Sequence, residues 1–277
     1  MLRIWVLNLF ICLSCYAQEF GSKPLVVVSI LPQKFVVDRV SGGTVEVSVL
    51  IPSGANEETY EPTVRDLKAL SRAKLYLKLG HPAFPFERQW LPKIITSATA
   101  LEVVNVGEGI PEDHDDPHVW TSAPEMRRIV NNVLKALIAI LPAHTEKLQQ
   151  NAGILLEEIY SADIAVREKI RISGVKRFLV FHPTWGYLAK TYGLEQISIE
   201  QQGKEPGPGQ LARLIERSRS LNIKVVFVQP QHPHESARLI ADELGGRVAQ
   251  LDPLAYNWVE NLKLVGQALA SSVEHGS

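Results

Sequence analysis

The chain has 277 residues, of which 45% are apolar and 21% charged, and its formal net charge is −1. This length suits one large domain or two small ones with well-buried cores. The near-zero charge provides neither a basic face for nucleic acid nor an acidic tail, so no nucleic-acid partner is expected.

The first twenty residues predict that the protein is exported. They carry a single charge at Arg3, then an apolar run from Ile4 to Leu13, and then small residues. That run is too short to span a bilayer and is typical of a secretory signal peptide, residues 1–17, cleaved after Ala17. The protein would then be periplasmic. Alternatively, the segment before Cys15 is a lipoprotein processing site, and a lipidated Cys15 anchors the protein to a membrane.

Both cysteines of the chain, Cys12 and Cys15, lie within this N-terminal segment. A chain cleaved after Ala17 therefore has no disulfide, and no thiolate for metal binding or catalysis. We expect its stability to depend on a hydrophobic core or on a ligand. No later apolar run is long enough to predict a transmembrane helix.

Two sets of short apolar segments predict two β-sheets. Several segments are continuously apolar rather than alternating, as is typical of strands that are covered on both faces. Helical patterns lie between the segments, so each set predicts βα alternation with a mainly parallel sheet. The first set is 24–30, 45–51, 74–80 and 101–106, and the second is 177–182, 194–199, 224–229 and 247–252.

An almost purely helical stretch separates the two sets. Ser122 and Glu125 have the spacing of a capping box at the start of one helix, which Pro142 ends. The next helix, 143–173, has apolar residues spaced by three and four, and Gly174 stops it. At about 1.5 Å per residue this helix would be roughly 45 Å long, enough to contact two lobes.

These patterns predict an α/β fold of two βα lobes, each with a mainly parallel sheet, bridged by one long rigid helix. The expected boundaries are 24–141 for the N-terminal lobe, 143–173 for the linking helix and 174–277 for the C-terminal lobe. The alternative is one large α/β domain with a long helix on its surface.

Three ligand-type side chains stand at or just beyond predicted strand ends. Glu58 follows segment 45–51, His182 ends segment 177–182, and Asp252 ends segment 247–252. Loops at the carboxyl edge of a parallel sheet converge on a crevice, which is where such sheets bind ligands. Any one of these residues alone could be a solvated loop residue, but three at such edges favour a site.

A fourth candidate ligand, His118, comes from the acidic stretch "PEDHDDPHVW". It follows the stiff Pro117 and precedes Val119 and Trp120, which would bury one side of the imidazole and orient the other. The charged residues before it, Asp113, His114 and Asp115, are typical of a solvated loop.

Together, Glu58, His118, His182 and Asp252 offer two carboxylates and two imidazoles without sulfur. Such a set suits zinc, manganese or iron(II) rather than copper(I). If all four bind one ion, no position stays open for a substrate, which favours carrying the metal over using it. Two rivals stay open: a metal-dependent hydrolase with Glu58 as general base, and a binding or adhesion protein for an organic solute.

The chain resembles the substrate-binding proteins of zinc and manganese ABC importers, the ZnuA-like and TroA-like family. The stretches that carry the resemblance are "GANEETYEPTVRDLKAL", "DPHVW", "FHPTWGYLAKTYGL", "KEPGPGQLARLIE" and "LDPL". The resemblance implies a metal held in the cleft between two lobes, with ligands at His118, His182 and Asp252. It also implies a monomer without enzymatic activity that delivers its ion to a membrane permease and an ATPase.

The resemblance is incomplete at the first ligand position, where the family normally has a histidine. This chain has Glu58 there, with Glu57 beside it. Either Glu58 is a harder substitute ligand, or Glu57 reaches in, or water fills the position. Zinc is the favoured ion, and manganese or iron(II) is the alternative.

Four other histidines have open roles. His114 is either a weak capture site or solvated, and His232 and His234 either chelate a metal or surround a helix start. His81 follows segment 74–80 and is a weaker candidate. Because the ligands must be deprotonated, metal affinity is expected to fall below about pH 6 as the imidazoles protonate.

Overall fold

The computed structural model describes residues 23–95, 101–111, 116–200, 203–232 and 235–273. The predicted signal peptide, residues 1–17 with Cys15, lies outside this part of the chain, as do His114 and His234. Among the helices of the described ranges, none combines the length and the apolar character that a membrane crossing needs.

Two four-stranded parallel sheets confirm the predicted α/β fold with two βα lobes. The first sheet has the strand order β2-β1-β3-β4 and the second has the matching order β6-β5-β7-β8. All eight predicted segments contain a strand. The strands are β1 (Leu25–Val28), β2 (Glu46–Val49), β3 (Leu75–Lys78), β4 (Glu102–Asn105), β5 (Arg177–Val180), β6 (Glu195–Ser198), β7 (Val225–Val228) and β8 (Arg247–Gln250).

Helices pack against each sheet and its central strands are buried, which explains why those strands are continuously apolar. The four residues of β7 are all buried, and so are Val26, Val27 and Val28 of β1. The helices are α1 (Leu31–Ser41), α2 (Val64–Arg72), α3 (Pro85–Ile95), α4 (Ala123–Ile140), α5 (Thr145–Ser173), α6 (Gly186–Tyr192), α7 (Pro208–Ser220), α8 (Glu235–Glu243) and α9 (Trp258–Ala270).

The long helix α5 contacts both lobes. It starts at Thr145 rather than 143, because Pro142–His144 form a short 3-10 helix. Its apolar side packs against α1 and α4 of the first lobe and against α9 of the second. It ends at Gly174, whose φ of +69° suits glycine at a helix C-terminus.

The capping box predicted for α4 is wrong. Ser122 is the N-cap residue, but its hydroxyl makes no bond to the backbone of the first turn. It contacts the Glu125 carboxylate directly and lies 2.8 Å from the Thr191 hydroxyl of α6. The serine therefore joins the two lobes instead of capping its own helix.

The two lobes are joined at a buried pair of tryptophans. Trp120 donates its indole N–H to the carbonyl of Pro253 at 2.8 Å, and Trp258 donates to the carbonyl of Trp120 at 2.6 Å. Nearby, the Tyr256 hydroxyl donates to the Asp38 carboxylate at 2.8 Å. The loop after β8 is therefore fixed to the first lobe.

Candidate metal centre

His118 is held in a fixed orientation by Asp116. One carboxylate oxygen, Oδ1, accepts the backbone N–H of His118 at 2.9 Å and lies 2.7 Å from its Nδ1. Because a carboxylate only accepts, Nδ1 carries the proton and the lone pair is on Nε2 of the neutral ring. The Trp120 ring packs edge-on against the imidazole at a centroid distance of 5.2 Å, as the sequence predicted.

His182 is oriented in the same way by a different carboxylate. It follows β5, and its Nδ1 lies 2.9 Å from Oε2 of Glu200, which follows the neighbouring strand β6. Gln229, after β7, donates its amide N–H to the His182 carbonyl at 2.7 Å. Three adjacent strand ends therefore fix this one histidine, and its Nε2 also carries a lone pair.

The two free nitrogens face two glutamates. Nε2 of His118 lies 3.7 Å from Oε1 of Glu57, and Nε2 of His182 lies 3.5 Å from Oε1 of Glu58. Both Nε2 atoms are buried and make no hydrogen bond. Leaving two buried ring nitrogens without a partner costs free energy, so this geometry fits a bound cation.

Three of the four predicted ligands come together in one group. Single ligand atoms of Glu58, His118 and His182 all lie within 4.8 Å of one another. Asp252 lies outside this group: its Oδ1 accepts from the Gln231 amide and from the Leu254 N–H, both at 2.9 Å. A role for Asp252 as the fourth ligand stays a prediction.

Glu57 and Glu58 differ in their surroundings. The Glu57 side chain is 2% exposed and its Oε2 is buried without a partner, whereas the Glu58 side chain is 28% exposed. Asn56 Oδ1 accepts the backbone N–H groups of Glu58 and Thr59 and so sets the turn that carries both glutamates. Burial raises the pKa of Glu57, but the His118 imidazole outweighs burial and lowers it, so this carboxylate is ionised.

The carboxylates around His118 change its titration. Burial alone would lower its pKa, but the nearby carboxylates of Asp116 and Glu57 raise it from 6.5 to about 9. A metal ion that binds Nε2 of His118 must therefore displace a proton at neutral pH.

His232 belongs to a group of possible metal ligands among the described residues, whereas His81 does not. The His232 ring, after β7, stacks on the His182 ring with centroids 4.5 Å apart and an interplanar angle of 19°. With His182 and Glu200 it forms a second group whose ligand atoms lie within 4.8 Å of one another. His81 accepts the Ala83 N–H at 3.2 Å through Nδ1 and belongs to neither group of the described residues.

The groups open into a cleft of about 960 Å³ between the lobes. Glu58, His118 and Arg88 line it from the first lobe, and His182, Glu200 and His232 line it from the second. An ion bound there would contact both lobes at once.

The sequence patterns do not identify Asp116 and Glu200, which orient His118 and His182. Glu200 directly follows segment 194–199, at the same kind of strand end that identified the candidate ligands. Asp116 stands two residues before His118, a spacing that lets an aspartate accept from both the backbone and the ring. Carboxylates that hold the second nitrogen of a ligating histidine are a general feature of metal sites.

Comparison with known proteins decides the family. The family model described as "Zinc-uptake complex component A periplasmic" matches residues 26–271, which is most of the chain. The chain belongs to the ZnuA family. This confirms the resemblance found in the sequence motifs, and it makes the protein one of a family of periplasmic metal-binding components.

Relatives of this chain differ in the metal they are named for. The High-affinity zinc uptake system protein ZnuA of Bacillus subtilis (strain 168) is 25% identical over 261 residues, covering 86% of this chain and 81% of the relative. The Iron-binding protein YfeA of Yersinia pestis is 30% identical over 239 residues, covering 79% and 75%. A crystal structure of ZnuA has a TM-score of 0.86 and 33% identity, covering 91% of this chain and 99% of that one.

Proposed function

We propose that this ZnuA-family protein is the substrate-binding component of an ABC importer. It captures zinc in the cleft between its lobes and delivers the ion to a membrane permease that works with an ATPase. Manganese or iron(II) is the alternative cargo. The protein acts as an exported monomer, either free in the periplasm or anchored through a lipidated Cys15.

The observation that carries this proposal is the pair of buried, unpaired Nε2 atoms. Each belongs to a histidine whose Nδ1 is held by a carboxylate, and each faces a glutamate. A structural histidine in a core would have both nitrogens hydrogen-bonded or one exposed to water. Fixed imidazoles with free lone pairs and adjacent carboxylates are what a transition metal requires.

Zinc is favoured because two imidazole nitrogens and a carboxylate suit its tetrahedral geometry. Zinc also binds most nitrogen and oxygen sites more tightly than manganese or iron(II) does. The relative from Bacillus subtilis is named for zinc uptake. The relative from Yersinia pestis is named for iron, and an extra carboxylate at the site would favour that harder ion.

Glu58, His118 and His182 are the proposed core ligands, and two carboxylates compete for the fourth position. The family resemblance proposes Asp252. Glu57 is the competitor, because it is buried beside His118 and one of its oxygens has no partner. A fully protein-ligated ion leaves no open position for a substrate, which supports transport rather than hydrolysis.

Delivery requires that the ligands separate. His182 belongs to the second lobe, whereas Glu58 and His118 belong to the first lobe, so relative displacement of the lobes opens the ligand set. The packing of α5 against both lobes favours a small displacement over a wide swing.

The proposal is tested by purifying the protein without chelators and measuring its metal content by mass spectrometry. Metal-free protein is then titrated with zinc and with manganese against a competing chelator. We expect one zinc ion per chain and tighter binding of zinc than of manganese. The variant His182→Asn should lose binding, whereas His144→Asn, at an exposed histidine outside the cleft, should keep it.

Absence of any bound divalent metal at neutral pH would overturn the proposal. If manganese binds more tightly than zinc, manganese is the cargo instead of zinc. In the source organism, loss of the gene should impair growth under zinc limitation, and the His182→Asn protein should fail to restore it.

A further inference from the structure

Glu57 and Glu58 lie in a short turn of residues 56–60, the glutamate turn. The carbonyl of Asn56 accepts the backbone N–H of Tyr60 at 3.0 Å, which closes the turn. The Asn56 side-chain oxygen accepts two further backbone N–H groups of the turn. All these bonds are internal, so the position of the two glutamates relative to the histidines also depends on what anchors the turn to the first lobe.

The end of the glutamate turn is anchored by Asp66, in the first turn of α2. Asp66 is 4% exposed, and its Oδ2 accepts the Tyr60 hydroxyl at 2.8 Å. The same oxygen accepts the backbone N–H and the hydroxyl of Thr63, the N-cap residue of α2, both at 2.7 Å. Burial and the Asp66 carboxylate raise the pKa of Tyr60, so its hydroxyl keeps the proton that it donates. One buried carboxylate therefore joins the end of the glutamate turn to the start of a helix.

The connection between Tyr60 and α2 is stiff. Pro62 fixes its own φ at about −65° and restricts Glu61 before it to an extended backbone. The Tyr60 ring packs on the Phe86 ring of α3, with centroids 6.0 Å apart, and Phe86 is 2% exposed in the hydrophobic core. Because this ring contact remains when the hydroxyl is removed, the bond between Tyr60 and Asp66 can be tested without unfolding the lobe.

We infer that Asp66 is a positioning residue for the proposed metal centre, and that it acts through the Tyr60 hydroxyl. It holds the glutamate turn so that Glu57 and Glu58 face the Nε2 atoms of the two histidines. Within the described part of the chain, Asp66 belongs to neither group of possible metal ligands, so it supports the centre without binding the ion. This inference rests on the proposed function.

The two candidate ions should depend on this anchor to different extents. Carboxylates are ligands that manganese prefers, whereas imidazole suits zinc. The two histidines are oriented by other carboxylates, Asp116 and Glu200, so a loosened glutamate turn leaves them in place. Loss of the anchor should therefore weaken manganese binding more than zinc binding. A general loss of stability would instead weaken the binding of both ions alike.

The first test compares Tyr60→Phe with Tyr76→Phe in chelator-competition titrations with Zn²⁺ and with Mn²⁺. Tyr60→Phe removes the hydroxyl that bonds Asp66, whereas the control removes a buried hydroxyl of the same lobe that lies 2.6 Å from Ser29 Oγ. We expect Tyr60→Phe to lower zinc affinity by about tenfold and manganese affinity by about 100-fold. Tyr76→Phe should leave the ratio of the two affinities unchanged.

The second test asks whether Asp66 acts through its hydrogen bond or through its charge. Asp66→Asn keeps an oxygen that accepts the Tyr60 hydroxyl, so it should keep the wild-type ratio of zinc to manganese affinity. Asp66→Ala should raise this ratio as Tyr60→Phe does. The double variant should raise it no further, because the two side chains act through one bond. Circular dichroism checks that each variant is folded.

An unchanged affinity ratio in Tyr60→Phe, including an equal loss for both ions, would overturn the positioning role. A ratio in Asp66→Asn that matches Asp66→Ala would also overturn it, because the charge and not the hydrogen bond would then be responsible. Failure of the wild-type protein to bind either ion would instead overturn the proposed function, so the two failures are distinguishable.

Discussion

Gly186 and Asp116 approach so closely that there is no room for a side chain between them. A Cβ atom on Gly186, at the start of α6, would lie 2.3 Å from Oδ2 of Asp116. The other oxygen of this carboxylate holds His118. A glycine of the second lobe therefore leaves room for Asp116, which orients His118 of the first lobe.

The variant Gly186→Ala is expected to weaken zinc binding while the protein stays folded. The new methyl group must push Asp116 aside, and disturbing a residue that orients a ligand typically costs about 10–100-fold in metal affinity. Chelator-competition titration measures the change. Gly153→Ala is the matched control, because a Cβ atom at that position in α5 meets nothing within 4 Å. Equal affinity in the two variants would contradict the prediction.

The fourth ligand can be identified by comparing Glu57→Gln with Asp252→Asn. Glu57 lies 3.7 Å from Nε2 of His118, whereas the Asp252 carboxylate is engaged by Gln231 and the Leu254 backbone. We expect Glu57→Gln to lower zinc affinity by about tenfold or more, and Asp252→Asn to have the smaller effect. The reverse order would assign the fourth position to Asp252.

Zinc affinity is expected to rise with pH up to about pH 9. The pKa of His118 is raised to about 9 by Asp116 and Glu57, so below that value zinc must displace a proton from this ring. This places the proton competition well above the pH of about 6 expected from unperturbed imidazoles. Titration calorimetry in buffers of different ionisation enthalpy should detect about one proton released per zinc ion at neutral pH.

The stability of the metal-free protein should change with pH in the opposite direction. The folded state holds its proton on His118 up to about pH 9, whereas an unfolded histidine loses it near 6.5. The contribution of His118 to the free energy of unfolding is therefore fully present below pH 6.5. It is lost as the pH rises from 6.5 to about 9. Urea unfolding across this window should show the decrease, and His118→Asn should remove it. A flat profile in the wild type would contradict the raised pKa.

The strands and the lobes could be predicted from sequence because each depends on a local pattern. The apolar segments identify β1 to β8, and the three- and four-residue spacing identifies α5. The placement of His118 and His182 at the cleft could also be predicted, since each residue stands beside a recognisable stretch. The capping box predicted at Ser122 is wrong because the Ser122 hydroxyl is hydrogen-bonded to Thr191 of the other lobe, which no local spacing reveals.

The orienting carboxylates depend on strand register, which the sequence does not display. Val180 of β5 pairs with Ser198 of β6, so two residues further on His182 comes level with Glu200. A shift of the register by one residue would separate them and move the side chains to the other face. Likewise, the choice between Glu57 and Glu58 depends on the turn that Asn56 sets.

The Trp120–Pro253 hydrogen bond is expected to stabilise the contact between the lobes. Trp120→Phe keeps an aromatic ring beside His118 but removes the indole donor, which leaves the Pro253 carbonyl unpaired. Loss of a partner from a buried acceptor costs about 1–3 kcal/mol in the free energy of unfolding. Tyr256→Phe is the control, because its bond to Asp38 is on the exposed surface and should contribute no more than about 0.5 kcal/mol. Urea unfolding of metal-free protein measures both variants. If the two lose stability equally, the buried tryptophan contact does not hold the lobes together, and the loop that carries Asp252 is free to move with the second lobe.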